Sequence, residues 1–350
     1  MVYCYLDRVL APRDDPTTLD FKSSCETCVV ESCMRRNQFT YHQYSYLRQG
    51  FVAQPSSTDG ALLKAIETPS YGIASVFTPP AFRNKGYAKH MMRLLHYVLA
   101  PHSVLPPFPE AWGAPPESKG HGRFSVLYSD VGDLYSVCGP HEEGMEGWKI
   151  RSAFGTIWDV SPTPPTSGGE QQEGEWEWLD LARIDELLEE DAEVMKSDLI
   201  ASTQFSGRTS FMILPRNWAT LQSKRVLLTP SIQKSNWWGV LLKDSAAPSQ
   251  RTFATWTVDR VGPLSSQTPI LVITRLRATP PTFPPLLSKL LSVATEFGMK
   301  HVEAWNLPKE LQGVASELGG KTAERDEHLP AFKWYGTEDP REIDWSFNEK

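Results

Sequence analysis

Between residues 72 and 99 the chain passes from an apolar strand-like run, through a turn containing a glycine, into a helix-like run. That order commits it to a fold in which strands and helices alternate. Gly72-Ile73-Ala74-Ser75-Val76-Phe77 reads as the strand and Thr78-Pro79-Pro80 ends it. Lys89-His90-Met91-Met92-Arg93-Leu94-Leu95-His96-Tyr97-Val98-Leu99 reads as the helix, with Met91 and Met92 as core residues. Between them stands Arg83-Asn84-Lys85-Gly86-Tyr87-Ala88. The first N–H groups of a helix have no partner within it, and the helix dipole adds partial positive charge there, so such a turn is an anion site. Gly86 and Ala88 leave room for a phosphate to approach the main-chain amides, and the glycine also permits a positive φ. Arg83 and Lys85 add charge at the mouth. Read alone, the segment is also compatible with an ordinary strand–loop–helix in which the glycine eases the turn.

The alternation extends along the chain. Residues 2–10 and 21–34 read as strands joined by a turn at Pro12, Asp14, Asp15 and Pro16. Residues 37–70 are polar and aromatic with weak periodicity and read as a region containing a loop insertion. Residues 101–122 hold Pro101, Pro106, Pro107, Pro109, Pro115 and Pro116, which makes them an unusually long loop. A second short strand follows at 123–129, then a short helix at 133–138 ended by Gly139-Pro140, then one or two strands within 148–160. Residues 161–175 (SPTPPTSGGEQQEGE) offer nothing to a core and read as a flexible linker. The linker separates an N-terminal domain, 1–160, from a C-terminal domain, 176–350; a chain of 350 residues is long enough for both.

Beyond the linker, 179–200 reads as a helix, 251–258 and 270–276 as strands, 285–297 as a helix and 301–305 as a strand. A helix at 308–318 ends at Gly319-Gly320. This strand–strand–helix–strand–helix order matches that of residues 21–138. Arg277-Ala278-Thr279-Pro280-Pro281 stands where the glycine turn would be, so a related fold without the anion site is expected.

The net charge of −7 argues against nonspecific binding to nucleic acid or to a membrane surface. No apolar run reaches the roughly 20 residues that a membrane-spanning helix needs. Residues 1–8 lack the basic and apolar regions of a secretory signal, so a cytoplasmic location is expected. Five cysteines, Cys4, Cys25, Cys28, Cys33 and Cys138, are too sparse for a disulfide framework. Cys25-Glu26-Thr27-Cys28 has zinc-knuckle spacing, with Cys33 and His42 nearby. There is no second close pair, and strand residues three apart face opposite sides. Buried thiols and no metal are expected.

Acyl transfer from a thioester needs a pyrophosphate cradle that brings the thioester to a strand edge, where a main-chain N–H can polarise its carbonyl. It also needs a proton donor near the departing sulfur. The cradle candidate is Arg83 to Ala88. The donor candidate is Tyr135, in Asp133-Leu134-Tyr135-Ser136-Val137-Cys138-Gly139. If the strand at 124–128 neighbours 73–77 in parallel, both motifs emerge at one edge of the sheet.

On these residues the chain resembles the GCN5-related N-acetyltransferases (GNAT). Their Arg/Gln-x-x-Gly-x-Gly/Ala signature is matched by Arg83-Asn84-Lys85-Gly86-Tyr87-Ala88. Their aromatic–Tyr-x-x-x-Gly segment is matched by Leu134-Tyr135-Ser136-Val137-Cys138-Gly139, apart from Leu134. Ser24-Cys25-Glu26-Thr27, Tyr71-Gly72-Ile73-Ala74-Ser75-Val76-Phe77-Thr78-Pro79-Pro80, Leu127-Tyr128-Ser129-Asp130-Val131-Gly132 and His328-Leu329-Pro330-Ala331-Phe332-Lys333-Trp334-Tyr335-Gly336 are similar to the fungal lysine N6-acetyltransferases. The resemblance implies an α/β GNAT acyl-CoA N-acyltransferase fold with a mixed sheet, followed by a second GNAT-like α/β domain. It implies acetyl-CoA as co-substrate and a small-molecule amine, the N6 amine of L-lysine, as acceptor. A catalytically inactive CoA-fold protein with a binding or regulatory role, or a protein N-acetyltransferase, are the alternatives. A dinucleotide-binding fold is disfavoured because Gly-x-Gly-x-x-Gly is absent.

The family domain begins with a strand and two helices that wall the acceptor site. Only residues 1–20 precede the strand carrying Cys25, so that strand and those helices are expected to be absent. The resemblance gives cofactor-binding roles to Ser75, Val76 and Phe77, through the main chain along pantetheine, and to Arg83, Asn84, Lys85, Gly86, Tyr87 and Ala88 at the pyrophosphate. The amide of Val76 or Phe77 is the candidate to polarise the acetyl carbonyl. Tyr135 is the expected general acid. Glu26 is the candidate general base or contact for the lysine ammonium, because its strand is expected to adjoin residues 73–77; a surface strand carboxylate is the other reading. His90 and His96 read as structural, and Asp130 as a residue that orients the loop before Tyr135 or touches substrate.

Overall fold

The computed structural model describes residues 29–31, 34–36, 39–55, 63–80, 83–116, 120–141, 145–151, 153–160, 176–214, 236–243, 247–261 and 268–348. In chain order the strands are β1 (Val29–Glu31), β2 (Met34–Arg36), β3 (Phe39–Ala53), β4 (Ile66–Phe77), β5 (Phe124–Ser129), β6 (Lys149–Ile150), β7 (Phe154–Asp159), β8 (Trp176–Leu179), β9 (Thr209–Ile213), β10 (Gly239–Leu242), β11 (Phe253–Val261), β12 (Thr268–Arg277), β13 (His301–Trp305), β14 (Lys321–Glu324), β15 (Leu329–Trp334) and β16 (Ile343–Trp345). The α-helices are α1 (Tyr87–Leu99), α2 (Leu181–Ser206), α3 (Phe283–Glu296) and α4 (Lys309–Glu317).

The chain forms two compact units, and one cut does not separate them. The first draws on Met1–Ser152, Gly207–Ile213 and Asp326–Asp344; the second draws on Ala153–Ser206, Leu214–Arg325 and Trp345–Lys350. Segments 207–213 and 326–344 therefore belong with the N-terminal half, and 153–160 with the C-terminal half. The linker expected at 161–175, the strand at 2–10 and most of that at 21–34 lie outside the described residues.

In the first unit the sheet order is β16-β9-β3-β4-β5-β15-β6, with β1 and β2 also paired to β3. β3 runs antiparallel to β4, and β4 runs parallel to β5 from Ser70↔Phe124 to Ile73↔Leu127. A parallel pair needs a crossover, which α1 and the proline-rich segment supply. Residues 37–70, read above as weakly periodic with a loop insertion, instead contain β3 and the start of β4. β3 is built from Tyr, Phe, Thr and Val, residues that favour strands even where apolar alternation is faint. On one face of the sheet, α1 packs Met91, Met92, Leu95, Val98 and Leu99 against Tyr71 and Ile73 of β4 and Leu127 of β5. On the other, Phe124 meets Phe211 at 4.3 Å and Trp334 at 5.9 Å between ring centroids. Those aromatic contacts give β9 and β15, from the far half of the chain, a physical reason to join this sheet.

The second unit has the order β14-β7-β13-β12-β11-β10-β8. β11 is antiparallel to β12, and β12 is parallel to β13 at Leu271↔Val302 and Val272↔Glu303. The expected strand–strand–helix–strand–helix order is therefore present as β11-β12-α3-β13-α4, and the chain carries two mixed α/β sheets of related order. α3 buries Phe283, Leu286, Leu287, Leu290, Val293 and Ala294. Pro284 and Pro285 stand in its first turn, where they remove N–H donors that an anion would use. Within this unit, buried Asp191 accepts hydrogen bonds from Arg275 Nε at 2.6 Å and Arg277 Nε at 2.8 Å. Arg277 also bonds Asp198 at 3.0 Å, so two cations face two carboxylates. Such mutual pairing is what makes buried charge tolerable.

Candidate functional site

β4 and β5 part at their carboxyl ends. After the Ile73↔Leu127 rung, β4 continues to Phe77 and β5 to Ser129 with no further rung between them. On its other side β4 is irregular: Tyr44 stands opposite Ala74 and His42 opposite Phe77, so two steps along β3 span three along β4. The extra residue falls at Ser75–Val76, and a bulge leaves its extra residue outside the ladder. The main chain of Ser75, Val76 and Phe77 thus borders an opening in the sheet, where an extended ligand can take up strand-like hydrogen bonds.

The turn that follows ends at the start of α1. Gly86 occupies the N-cap with φ 79° and ψ 1°, a left-handed conformation, and no side chain caps the helix. A Cβ built on Gly86 would meet nothing within 4 Å. Glycine is therefore demanded by conformation, and the space above it is open. Asn84 is also left-handed, with φ 61°. Arg83 Nε donates to the Thr78 carbonyl at 3.1 Å, which ties the two ends of the turn. Lys85 is exposed beside it. An uncapped helix start, open space and two cations fit a pyrophosphate.

The parallel pairing of β4 and β5 brings the second motif to the same end. A 3₁₀ turn, Gly132–Val137, follows β5 and carries Tyr135, which is 9% exposed. Tyr135 packs in one cluster with Ile73, Val76, Met91 and Leu127. Its carbonyl accepts from the Cys138 amide at 3.2 Å and the Trp148 amide at 3.0 Å, which fixes its main chain. Gly139, the last residue of the motif, has a steric cause: a Cβ there would lie 1.8 Å from the Met145 carbonyl oxygen. The Arg83–Ala88 turn and the turn carrying Tyr135 thus follow the same ends of the parallel strands β4 and β5.

Glu26 lies outside the described residues. Among the described residues, the strand paired antiparallel with residues 73–77 is β3. Cys25, Cys28 and Cys33 lie outside the described residues too. Cys138 is buried, and burial pushes its thiol up to about 11.

A buried hydrogen-bond chain supports the tyrosine turn from behind, and its direction follows from its ends. Trp148 Nε1 can only donate, and it reaches Ser125 Oγ at 2.9 Å. The Cys138 carbonyl can only accept, so His96 Nε2, 2.9 Å away, carries the proton. His96 Nδ1 then accepts from the Tyr335 hydroxyl at 2.9 Å, and Tyr335 accepts from Ser125 at 3.1 Å. The His96 ring also stacks on Trp148, with centroids 4.2 Å apart. Burial and the nearby Lys333 depress the His96 imidazole from 6.5 to about 3. The unfolded chain binds this proton near pH 6.5, so the stabilisation from His96 is complete above that pH and is lost as pH falls toward 3. Tyr335→Phe leaves His96 Nδ1 without its donor and should cost about 1–3 kcal/mol in a urea titration. An unchanged midpoint would show that the chain is not closed as described.

The long proline-rich loop is held against α1. Tyr97 Oη donates toward the carbonyls of Pro106, Pro107 and Pro140 at 3.2, 3.3 and 3.1 Å. Trp112 from that loop lies edge-on to His90 at 5.3 Å.

One pair was not legible as a pair. Asp130, directly after β5, accepts from His328 Nδ1 at 2.8 Å and from the His328 amide at 2.9 Å. The two residues are 198 positions apart, so no local pattern links them. Among the described residues, no group of His, Cys, Asp and Glu is arranged to hold a metal ion, and no helix is long and apolar enough to cross a membrane.

Comparison with known proteins gives one family. The family model described as LYC1 GNAT-like C-terminal domain matches residues 160–350, more than half of the chain. No curated protein matches. A solved structure from Enterococcus faecalis V583, a conserved protein of unknown function and probable N-acyltransferase, is 10% identical with TM-score 0.47. The match covers 88% of this chain and 62% of that one. A GCN5-related N-acetyltransferase from Kribbella flavida is 11% identical with TM-score 0.41, covering 86% and 59%. Eis1 from Mycobacterium abscessus is 12% identical with TM-score 0.44, covering 88% and 64%. The chain thus spans less than two-thirds of the length of each of these proteins.

Proposed function

Because the chain belongs to the LYC1 GNAT-like family, we propose that it transfers an acetyl group from acetyl-CoA to the amine of a small molecule, the N6 amine of L-lysine. The observation that carries this reading is the parting of β4 and β5 after Ile73↔Leu127, with the Gly86 helix start and Tyr135 at that same end of the strands. Acetyl-CoA supplies the activated thioester. The amides of Lys85 to Ala88 would hold its pyrophosphate, with Arg83, Asn84 and Lys85 at the rim. The main chain of Ser75, Val76 and Phe77 would align the pantetheine arm, and an amide turned out of the ladder by the bulge would donate to the acetyl carbonyl, favouring charge that develops there. Tyr135 would protonate the sulfur as it departs.

The test follows free thiol while acetyl-CoA is mixed with the chain and L-lysine, then with a basic peptide. Thiol release with L-lysine, matched by N6-acetyllysine, is the expected result. Release only with the peptide would move the acceptor to proteins. Release with neither would leave a protein of this fold that binds CoA without turnover.

A further inference from the structure

An acid works only while its proton is aimed at the departing atom, and a displacement of about 1 Å can cost roughly 100-fold in rate. Tyr135 sits on a 3₁₀ turn of six residues. Val131, Leu134 and Val137 follow each other at the three-residue repeat of such a turn, so they share one edge, and all three are exposed. That edge lies open to solvent. What fixes the turn must act from its buried side.

On the buried side the polar contacts close into a ring. The Tyr135 carbonyl accepts from two amides, those of Cys138 at 3.2 Å and Trp148 at 3.0 Å. The buried chain described above starts at one of these residues and ends at the other. Trp148 Nε1 donates to Ser125, Ser125 to Tyr335, Tyr335 to His96 Nδ1, and His96 Nε2 to the Cys138 carbonyl. Hydrogen bonds in such a sequence strengthen one another in a low-dielectric interior. His96 touches both arms, because it bonds Cys138 and its ring stacks on Trp148. The backbone approach beside it is close. The Gly147 amide donates to the Ser136 carbonyl at 2.9 Å, and a Cβ on Gly147 would lie 2.1 Å from the Tyr135 carbonyl oxygen. His96 itself is 0% exposed, so it is sealed from both substrates. A hydrocarbon ring could fill its place, but it would leave the Cys138 carbonyl and the Tyr335 hydroxyl buried without their partner.

We infer that His96 is a positioning residue for Tyr135, holding through Cys138 and Trp148 the peptide group from which the phenol is aimed at the sulfur; this rests on the acetyltransferase reading above. Tyr335 fixes the His96 tautomer that can donate to Cys138. In the step that His96 serves, the C–S bond breaks with its electron pair on sulfur. Sulfur takes the Tyr135 hydroxyl proton, and Tyr135 regains a proton from water. His96 neither gains nor loses one. Tyr335 directly follows the last residue of β15, so the far half of the chain contributes to aiming the acid.

The experiment is a double-mutant cycle on the full chain, with acetyl-CoA and the acceptor that releases thiol in the assay above. It compares H96F, Y135F and H96F/Y135F, with H96Q as the conservative variant. H96F keeps a ring to stack on Trp148 and removes both hydrogen bonds of the imidazole. It is expected to lower kcat about tenfold with KM unchanged, the split expected of a residue that acts through the acid. Calorimetric affinity for acetyl-CoA should not change. H96Q again offers a donor to Cys138 and an acceptor to Tyr335, and should recover most of the lost rate. Y135F has no proton to aim, so adding H96F to it should change kcat by less than about twofold. An equal loss from H96F in both backgrounds is the mark of a structural histidine and would overturn the inference. So would turnover by H96F within about twofold of the unaltered chain. If H96F fails to fold, Y335F and Y335F/Y135F make the same cycle through the hydroxyl that sets the tautomer, judged in the same way. Failure of the underlying reading looks different. Unaltered turnover by Y135F would remove Tyr135 as the acid, and acetyl-CoA binding without turnover of L-lysine or a basic peptide by the unaltered chain would overturn the acetyltransferase reading; either result takes this inference with it.

Discussion

Replacing Gly86 with glutamate is expected to abolish acetyl-CoA binding while the first unit stays folded. The reasoning separates three effects that one substitution combines. The first is conformational: Gly86 has φ 79°, and any side chain there costs about 1–2 kcal/mol. The second is steric: a Cβ meets nothing within 4 Å, so no neighbour need move and the core beneath α1 is untouched. The third is electrostatic. A carboxylate at a helix start is favourable to the helix, by about 0.3–1 kcal/mol, for the same reason that a phosphate is. It would occupy the position proposed for the pyrophosphate and repel it. Gly86→Ala is the control, because it carries the conformational cost without the charge. Calorimetry with acetyl-CoA should show weakened binding for the alanine variant and none for the glutamate variant. Equal affinities in the unaltered and glutamate proteins would remove Arg83 to Ala88 from the cofactor site.

The parts of this site that could be read from sequence are those that local chemistry writes. The run from Gly72 to Leu99 fixes a strand, a left-handed glycine and a helix start within one short stretch, and the structure has all three. Tyr135 and Gly139 were equally accessible, since the requirement for glycine comes from close approach of the main chain. What escaped is what depends on pairing at long range. β3 lies between β4 and β9, and its alternation of Tyr, Gln and Ser conceals a strand that its β propensity would have indicated. β9 and β15 belong to the sheet of the other half of the chain, and the aromatic contacts of Phe211 and Trp334 with Phe124 form only after that pairing. Asp130 is legible in the sequence as a loop-orienting or substrate-touching residue, but no local pattern links it to His328, 198 positions away. The antiparallel register of β5 and β15 makes them neighbours.

Tyr135→Phe should leave acetyl-CoA affinity unchanged and lower kcat by about 100-fold or more, the scale of a lost general acid. The substitution keeps the ring that packs with Ile73, Met91 and Leu127, and it does not touch the carbonyl that accepts from Cys138 and Trp148. The turn should therefore hold its shape, and the loss should fall on the step in which sulfur departs. A defect of that origin depends on the leaving group. With the selenium analogue of acetyl-CoA, whose selenol is far more acidic and leaves as the anion, the variant and the unaltered protein should approach each other. A defect caused by misplacement of the turn would persist with both substrates, because geometry does not depend on the acidity of the leaving atom. Unaltered turnover of acetyl-CoA itself would return Tyr135 to the packing role that its 9% exposure also allows.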